Sequence, residues 1–200
     1  MKKKLLLTVL TIIILALSSL PAEAYKQACV DRLRYLKDGA EGDFSDADLT
    51  GMVVERANLI NANLRGTSLV NGKLRRADLR DANLTGAVLV RTDFTKASFY
   101  RAILIDADLT SAILENAVIS KANLDGAILI KANLFKADLR GASLKRAQFQ
   151  EANMRIAQLQ GADLQDADLR GADLSYSDLT NAKLEGAKLE GAKLTGVKGL

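Results

Sequence analysis

The chain has 200 residues with no histidine, no tryptophan and one cysteine, which excludes imidazole catalysis, His-bearing metal sites and an intrachain disulfide framework. Its 28 Lys and Arg against 24 Asp and Glu leave a net charge of +4, too little to attract nucleic acid along the whole molecule. The length suits a single domain.

Residues 1–24, MKKKLLLTVLTIIILALSSLPAEA, fall into three regions: a basic start at Lys2 to Lys4, an apolar run from Leu5 to Leu17, and Pro21 before an Ala22-Glu23-Ala24 ending. That order marks a secretory signal peptide, expected to be cleaved after Ala24 and to export the protein to the periplasm. The apolar run is shorter than the roughly 20 residues that span a bilayer, which disfavours a permanent anchor. Residues 1–24 carry a net +2, which leaves +2 of the chain's +4 on the exported part.

Residues 25–40 are predicted as a short amphipathic helix. Cys29, Leu33 and Leu36 recur at helical spacing beside Val30, while Lys26, Asp31, Arg32, Arg34 and Lys37 point elsewhere, and the helix ends near Gly39. A solenoid exposes its first coil unless something covers it, so this helix is expected to cap the rod beneath Phe44 and Leu49 and to bury Cys29. Lys26-Gln27-Ala28 lack the apolar and small run that precedes a lipidated cysteine, so Cys29 is not expected to carry a lipid.

Residues 41–197 repeat every five positions, and residues 198–200 form a short tail. From Phe44 to Leu194 every fifth residue is Leu, Phe, Val, Ile or Met, and the residue two before each is nearly always Ala, as in Ala57, Ala107 and Ala172. In an α-helix such a period leaves a net rotation of about 140° per repeat and forms no face. In a straight strand it sends successive leucines to opposite sides. A coil that bends every five residues satisfies the pattern, because an alanine and the leucine two residues later then share the interior on every side. The alanine follows from space, since a second large residue would overpack a narrow core at roughly 1–3 kcal/mol.

The segments ADLRG, ANLTG and ANLDG resemble the pentapeptide-repeat family, and the resemblance covers about three quarters of the chain. It implies an all-β fold: a right-handed quadrilateral parallel β-helix with about twenty residues per coil, here with a short N-terminal capping α-helix. Family members are abundant in cyanobacteria, so the thylakoid lumen is the alternative compartment for a cyanobacterial host. Some members mimic DNA and occupy DNA gyrase, but that requires a strongly acidic rod, and this chain is nearly neutral.

No residue pattern points to catalysis, a metal, a cofactor or a small-molecule substrate. Asp163, Asp168, Asp173 and Asp178 look like acid/base pairs, but they recur with the repeat and so mark its outward position. A twenty-residue coil places Lys183, Lys188 and Lys193 over Asp163, Asp168 and Asp173. It also stacks Arg56, Arg76 and Lys96 in one row, a candidate anion contact suited to a membrane face, with Glu55 and Asp78 nearby. Val88, Val90, Ile103, Ile105, Ile128 and Ile130 flank central residues 89, 104 and 129 and are expected to point outward. They are the candidate contact for a protein partner or a second copy of the rod. The function read from sequence is therefore a non-catalytic exported scaffold or protein-interaction module.

Overall fold

The computed structural model describes residues 21–200, so the expected signal segment lies almost wholly outside the described residues. One helix, α1 (Ala22–Leu36), precedes the coils. It begins inside the stretch read as signal and ends earlier than the expected 25–40, because Lys37 takes a left-handed conformation (φ 55°) and its N–H closes on Leu33 O at 3.0 Å. Cys29 and Leu33 are buried against the end of the core. Arg32 donates to Asp38 O (2.9 Å) and Ala40 O (2.5 Å), and Lys26 donates to Ser45 O (3.2 Å), so the helix is tied to the first coil by three side-chain bonds.

The coils follow without a break. Every bridge is parallel and joins residue n to residue n + 20, from Asp38↔Asn58 to Asp178↔Lys198, so the bridged rod starts three residues before the expected 41 and reaches one past 197. Eight such steps give a rod about 38 Å long at the usual strand spacing. Each coil has four faces. We number them by their central residues: face 1 carries Phe44, Leu64, Leu84 and Leu104, face 2 Leu49, Leu69 and Leu89, face 3 Val54, Leu74 and Phe94, and face 4 Leu59, Leu79 and Phe99.

The backbone account closes within a repeat that carries Asp or Asn before its central residue, as residues 106–110 illustrate. Leu109 N–H donates up to Ile128 O (2.7 Å), Asp108 N–H down to Ala87 O (2.9 Å), Ala107 N–H across the corner to Leu104 O (3.1 Å), and Asp106 N–H up to Asp125 O (3.0 Å). The fifth N–H, that of Thr110, faces outward and is accepted by the Asp108 carboxylate at 2.9 Å. The same bond runs from Ser45 to Asp43, Thr85 to Asn83, Phe135 to Asn133 and Thr180 to Asp178. The Asp or Asn of the repeat thus supplies the one acceptor that the ladder cannot.

Corners turn through a left-handed residue two places after each central residue, such as Arg76 (φ 58°), Asp106 (φ 55°) and Gly126 (φ 71°). Inside, the column of central residues and alanines is buried from Leu49 to Leu179, apart from the slot of Met52, and opens in the last coil, where Leu184 and Leu189 are half-buried and Leu194 is exposed. Phe94 and Phe99 meet edge to face at 4.9 Å. Two threonines fit the alanine slot by donating inward, Thr67 to Phe44 O (2.7 Å) and Thr92 to Leu69 O (2.6 Å). At the helix end, Gly39 occupies a central slot because the Phe44 ring fills it: a Cβ there would lie 2.8 Å from Phe44 Cζ.

Candidate functional site

The outward carboxylates are structural. Beyond accepting the outward amide, Asp78, Asp138 and Asp168 each hold the arginine two residues on, at 2.6, 2.8 and 2.5 Å. The hydrogen bond from Arg170 pulls the Asp168 carboxyl down to about 2, against the opposing effect of burial. Burial pushes Asp93 up, but Thr95 and Arg75 outweigh it and hold that carboxyl below its ordinary value. Such groups are fixed as carboxylates at neutral pH and are occupied by partners in their own repeat or the neighbouring coil. Among the described residues no group of His, Cys, Asp or Glu is arranged to hold a metal ion.

Stacked charges follow the expected register in part. Lys183 reaches Asp163 at 3.4 Å and Lys193 reaches Asp173 at 3.8 Å. Lys188 stands over Asp168 in the ladder, but Arg170 holds that carboxylate, so the expected third pair is replaced by a pair within one repeat.

Arg56, Arg76 and Lys96 do share one column, at the corner between faces 3 and 4, with φ of 60°, 58° and 60° and exposed side chains. Together with Glu55, Arg75, Thr95 and Glu115 they line a shallow depression. Asp78 does not relieve this row, as the sequence suggested, because Arg80 takes it at 2.6 Å. Lys136 stands at the same corner and was not singled out by sequence reasoning.

The six aliphatics divide differently from the expectation. Val88 and Ile103 are exposed (38% each), whereas Val90, Ile105 and Ile130, each beside a corner, are half-buried, and so is Ile128, although it holds the same place as Val88. Faces 1 and 2 do hold all six, but the corner between them is not continuous: a Cβ at Gly86 would meet nothing within 4 Å, whereas Asp106 stands between Gly86 and Gly126 with its carboxylate lying over Gly126. Sequence reasoning missed Ile113 (37%) and Val118 (38%), which occupy the same place on faces 3 and 4. Their signal was the register itself: both directly precede a central residue, where Asp or Asn is usual. The aliphatics therefore form a waist around the rod, widest on faces 1 and 2 and interrupted on face 2 by Asp108 and Thr110, which stand between Val88 and Ile128.

That waist has a backbone consequence. Val88, Ile103, Ile113, Val118 and Ile128 stand where the amide acceptor belongs, so the N–H groups of Val90, Ile105, Glu115, Ser120 and Ile130 have no protein acceptor among the described residues. Between residues 88 and 128 five of the nine acceptor positions are aliphatic, and outside that stretch only Val53 is.

The repeat family matches along the coils. A family model described as "Pentapeptide repeats" matches residues 43–81, 77–116, 117–155 and 157–196. Among solved structures, the chain is similar to HetL, a pentapeptide repeat protein involved in heterocyst differentiation regulation from the cyanobacterium Nostoc sp. strain PCC 7120, with 35% identity over 78% of this chain and 84% of that one, at a TM-score of 0.35. It is also similar to a pentapeptide repeat protein from the Arabidopsis thaliana thylakoid lumen (30% identity, 57% and 63% covered, TM-score 0.32). A third similar structure is QnrB1, a plasmid-mediated fluoroquinolone resistance protein (22% identity, 75% and 83% covered, TM-score 0.48). No curated protein matches the chain. With four successive matches spanning nearly all of the coiled residues, the chain belongs to the pentapeptide-repeat family.

Proposed function

We propose that this protein is a non-catalytic, exported interaction scaffold, a right-handed quadrilateral β-helix that docks a protein partner on its aliphatic waist. The observation that carries this reading is the concentration of Val88, Ile103, Ile113, Val118 and Ile128 in positions where an Asp or Asn in many other repeats accepts the outward amide. Each forgoes a hydrogen bond of about 1 kcal/mol, a local departure from the repeat's own rule that a contact surface accounts for. β-Branched residues suit strand surfaces and recover part of that loss, which keeps the rod stable in the absence of a partner.

A non-catalytic role is supported by the use of the outward carboxylates in the repeat's own bonds. Export, to the periplasm or to the thylakoid lumen of a cyanobacterial host, is supported by the basic, apolar and small-residue order of residues 1–24. A gyrase-binding nucleic-acid mimic is disfavoured by the near-neutral charge and the unpaired cations of the 3–4 corner.

The contact surface on faces 1 and 2 is tested by the triple variant Val90→Lys, Ile105→Lys, Ile130→Lys. It is expected to fold and melt like the parent and to lose the partner that co-purifies with the parent. A folded triple variant that keeps the same partners and the same oligomeric state sinks this reading.

A further inference from the structure

We propose that the corner between faces 3 and 4 rests on an anionic lipid surface. Read along the rod, this corner presents Arg56, Arg76, Lys96, Asn116, Lys136, Ile156 and Tyr176, spaced about 5 Å apart by the stacking of the coils. Its left-handed positions are the one such column of the described coils without an acid, with Glu55 and Glu115 one residue before it in the same turns. The 1–2 corner carries Asp46, Asp106 and Asp166, the 2–3 corner Glu151, and the 4–1 corner Glu41 and Asp81. None of the four cations forms an ion pair among the described residues, whereas Arg101 of the 4–1 corner reaches Asp81 at 3.0 Å and Lys131 of the 2–3 corner reaches Glu151 at 3.6 Å.

A second, independent observation turns a basic row into a membrane edge. Ile156 and Tyr176 continue the column, exposed at 40% and 58%, in left-handed conformations with φ of 57° and 62°. A β-branched residue at such a φ is a genuine outlier, and Gly or Asn is the relaxed choice there. The Tyr176 ring lies along the corner over Gly196, where a Cβ would come within 2.7 Å of Cδ1. Cations that attract anionic headgroups, followed by an aliphatic and a tyrosine at the same level, form the side-chain set of an interfacial contact. A column of cations stacked coil on coil can face a flat sheet of charge. A soluble polyanion would gain nothing from Ile156 and Tyr176.

Because the Debye length is about 8–10 Å at physiological salt, a local row acts on a nearby surface although the whole molecule is nearly neutral. The waist and this corner use different residues, so failure of one reading leaves the other standing.

The test is flotation of the full chain with vesicles of phosphatidylcholine alone and with vesicles containing an equal part of phosphatidylglycerol. The neutral vesicles register whatever the apolar run at residues 5–17 contributes, and the difference between the two is read. The variant Arg56→Gln, Arg76→Gln, Lys96→Gln, Lys136→Gln should lose this anionic preference roughly 100- to 1000-fold. A matched variant, Arg65→Gln, Arg91→Gln, Lys131→Gln, Arg146→Gln, removes the same charge elsewhere and should change it less than about 10-fold. Ile156→Ser with Tyr176→Ser should weaken binding to both vesicle types by similar factors. The proposal is overturned if the parent shows no anionic preference, if the two quadruple variants lose it equally, or if the serine pair binds like the parent while inorganic polyphosphate competes as well as the vesicles.

Discussion

Asp108 accepts the outward N–H of Thr110 at 2.9 Å, and this bond supplies the acceptor that stacking of the coils leaves missing. Asp108→Ala removes it and exposes a half-buried amide to water, so the protein should lose about 0.5–1.5 kcal/mol. Asp108→Asn keeps an oxygen in the same place and should change stability by less than about 0.5 kcal/mol. Chemical denaturation of the two variants checks this. Equal losses would mean that charge, and not the turn bond, is what the position supplies.

The interior sets its own limits one residue further on. Leu109 is fully buried and shares the column with Ala107. Leu109→Ala should cost about 2–5 kcal/mol through a cavity that the neighbouring coils cannot fill. Ala107→Leu should cost about 1–3 kcal/mol by overpacking. Melting curves that placed either variant within error of the parent would contradict the inward assignment.

Period five and the alanine two places before each leucine made the coil, its corners and its interior legible in the sequence. The number of sides was not legible from the charge pattern, since a fifteen-residue coil would also pair lysines with aspartates. The bridges, such as Asp163↔Lys183, fix twenty. The outward Asp and Asn read as solvated surface because hydrogen bonding to the amide two residues on leaves no mark in hydropathy. Ile113 and Val118 escaped notice because each is isolated in sequence, with Asp108, Glu115 and Asn116 close by. They join the waist only when four faces are wrapped around one axis. At the other candidate site, Arg56, Arg76 and Lys96 were visible as a row, whereas Ile156 and Tyr176 belong to it only through the register.

Acid should loosen the rod through these carboxylates. Asp168 titrates at about 2 in the folded protein against an ordinary 3.8, so the unfolded chain takes up its proton first as the pH falls. The stabilisation is fully present above the unfolded value and fades as the pH drops from about 4 toward 2. Asp168→Asn should therefore be less stable than the parent at pH 6, with the gap closing across that window. A gap that stays constant from pH 6 to about 2 would show that the Arg170 pair contributes nothing to folding.

Ile156 holds a left-handed backbone that its β-branch disfavours. Ile156→Asn relaxes it and should raise stability by about 0.5–1 kcal/mol. The same substitution should weaken lipid contact at the 3–4 corner. A loss of stability in Ile156→Asn would show instead that the isoleucine packs usefully against the neighbouring coils.

Protein contact at the waist is tested most directly by matched crosslinking along one face. Ile103 and Asp163 hold the same place on face 1, three coils apart. A photo-reactive phenylalanine is placed at either position in the protein expressed in its own host. The waist reading predicts one defined adduct from position 103, the same partner from position 88 on the adjoining face 2, and no such adduct from position 163. Equal capture from positions 103 and 163, or none from 103 while the partner still co-purifies, would contradict it.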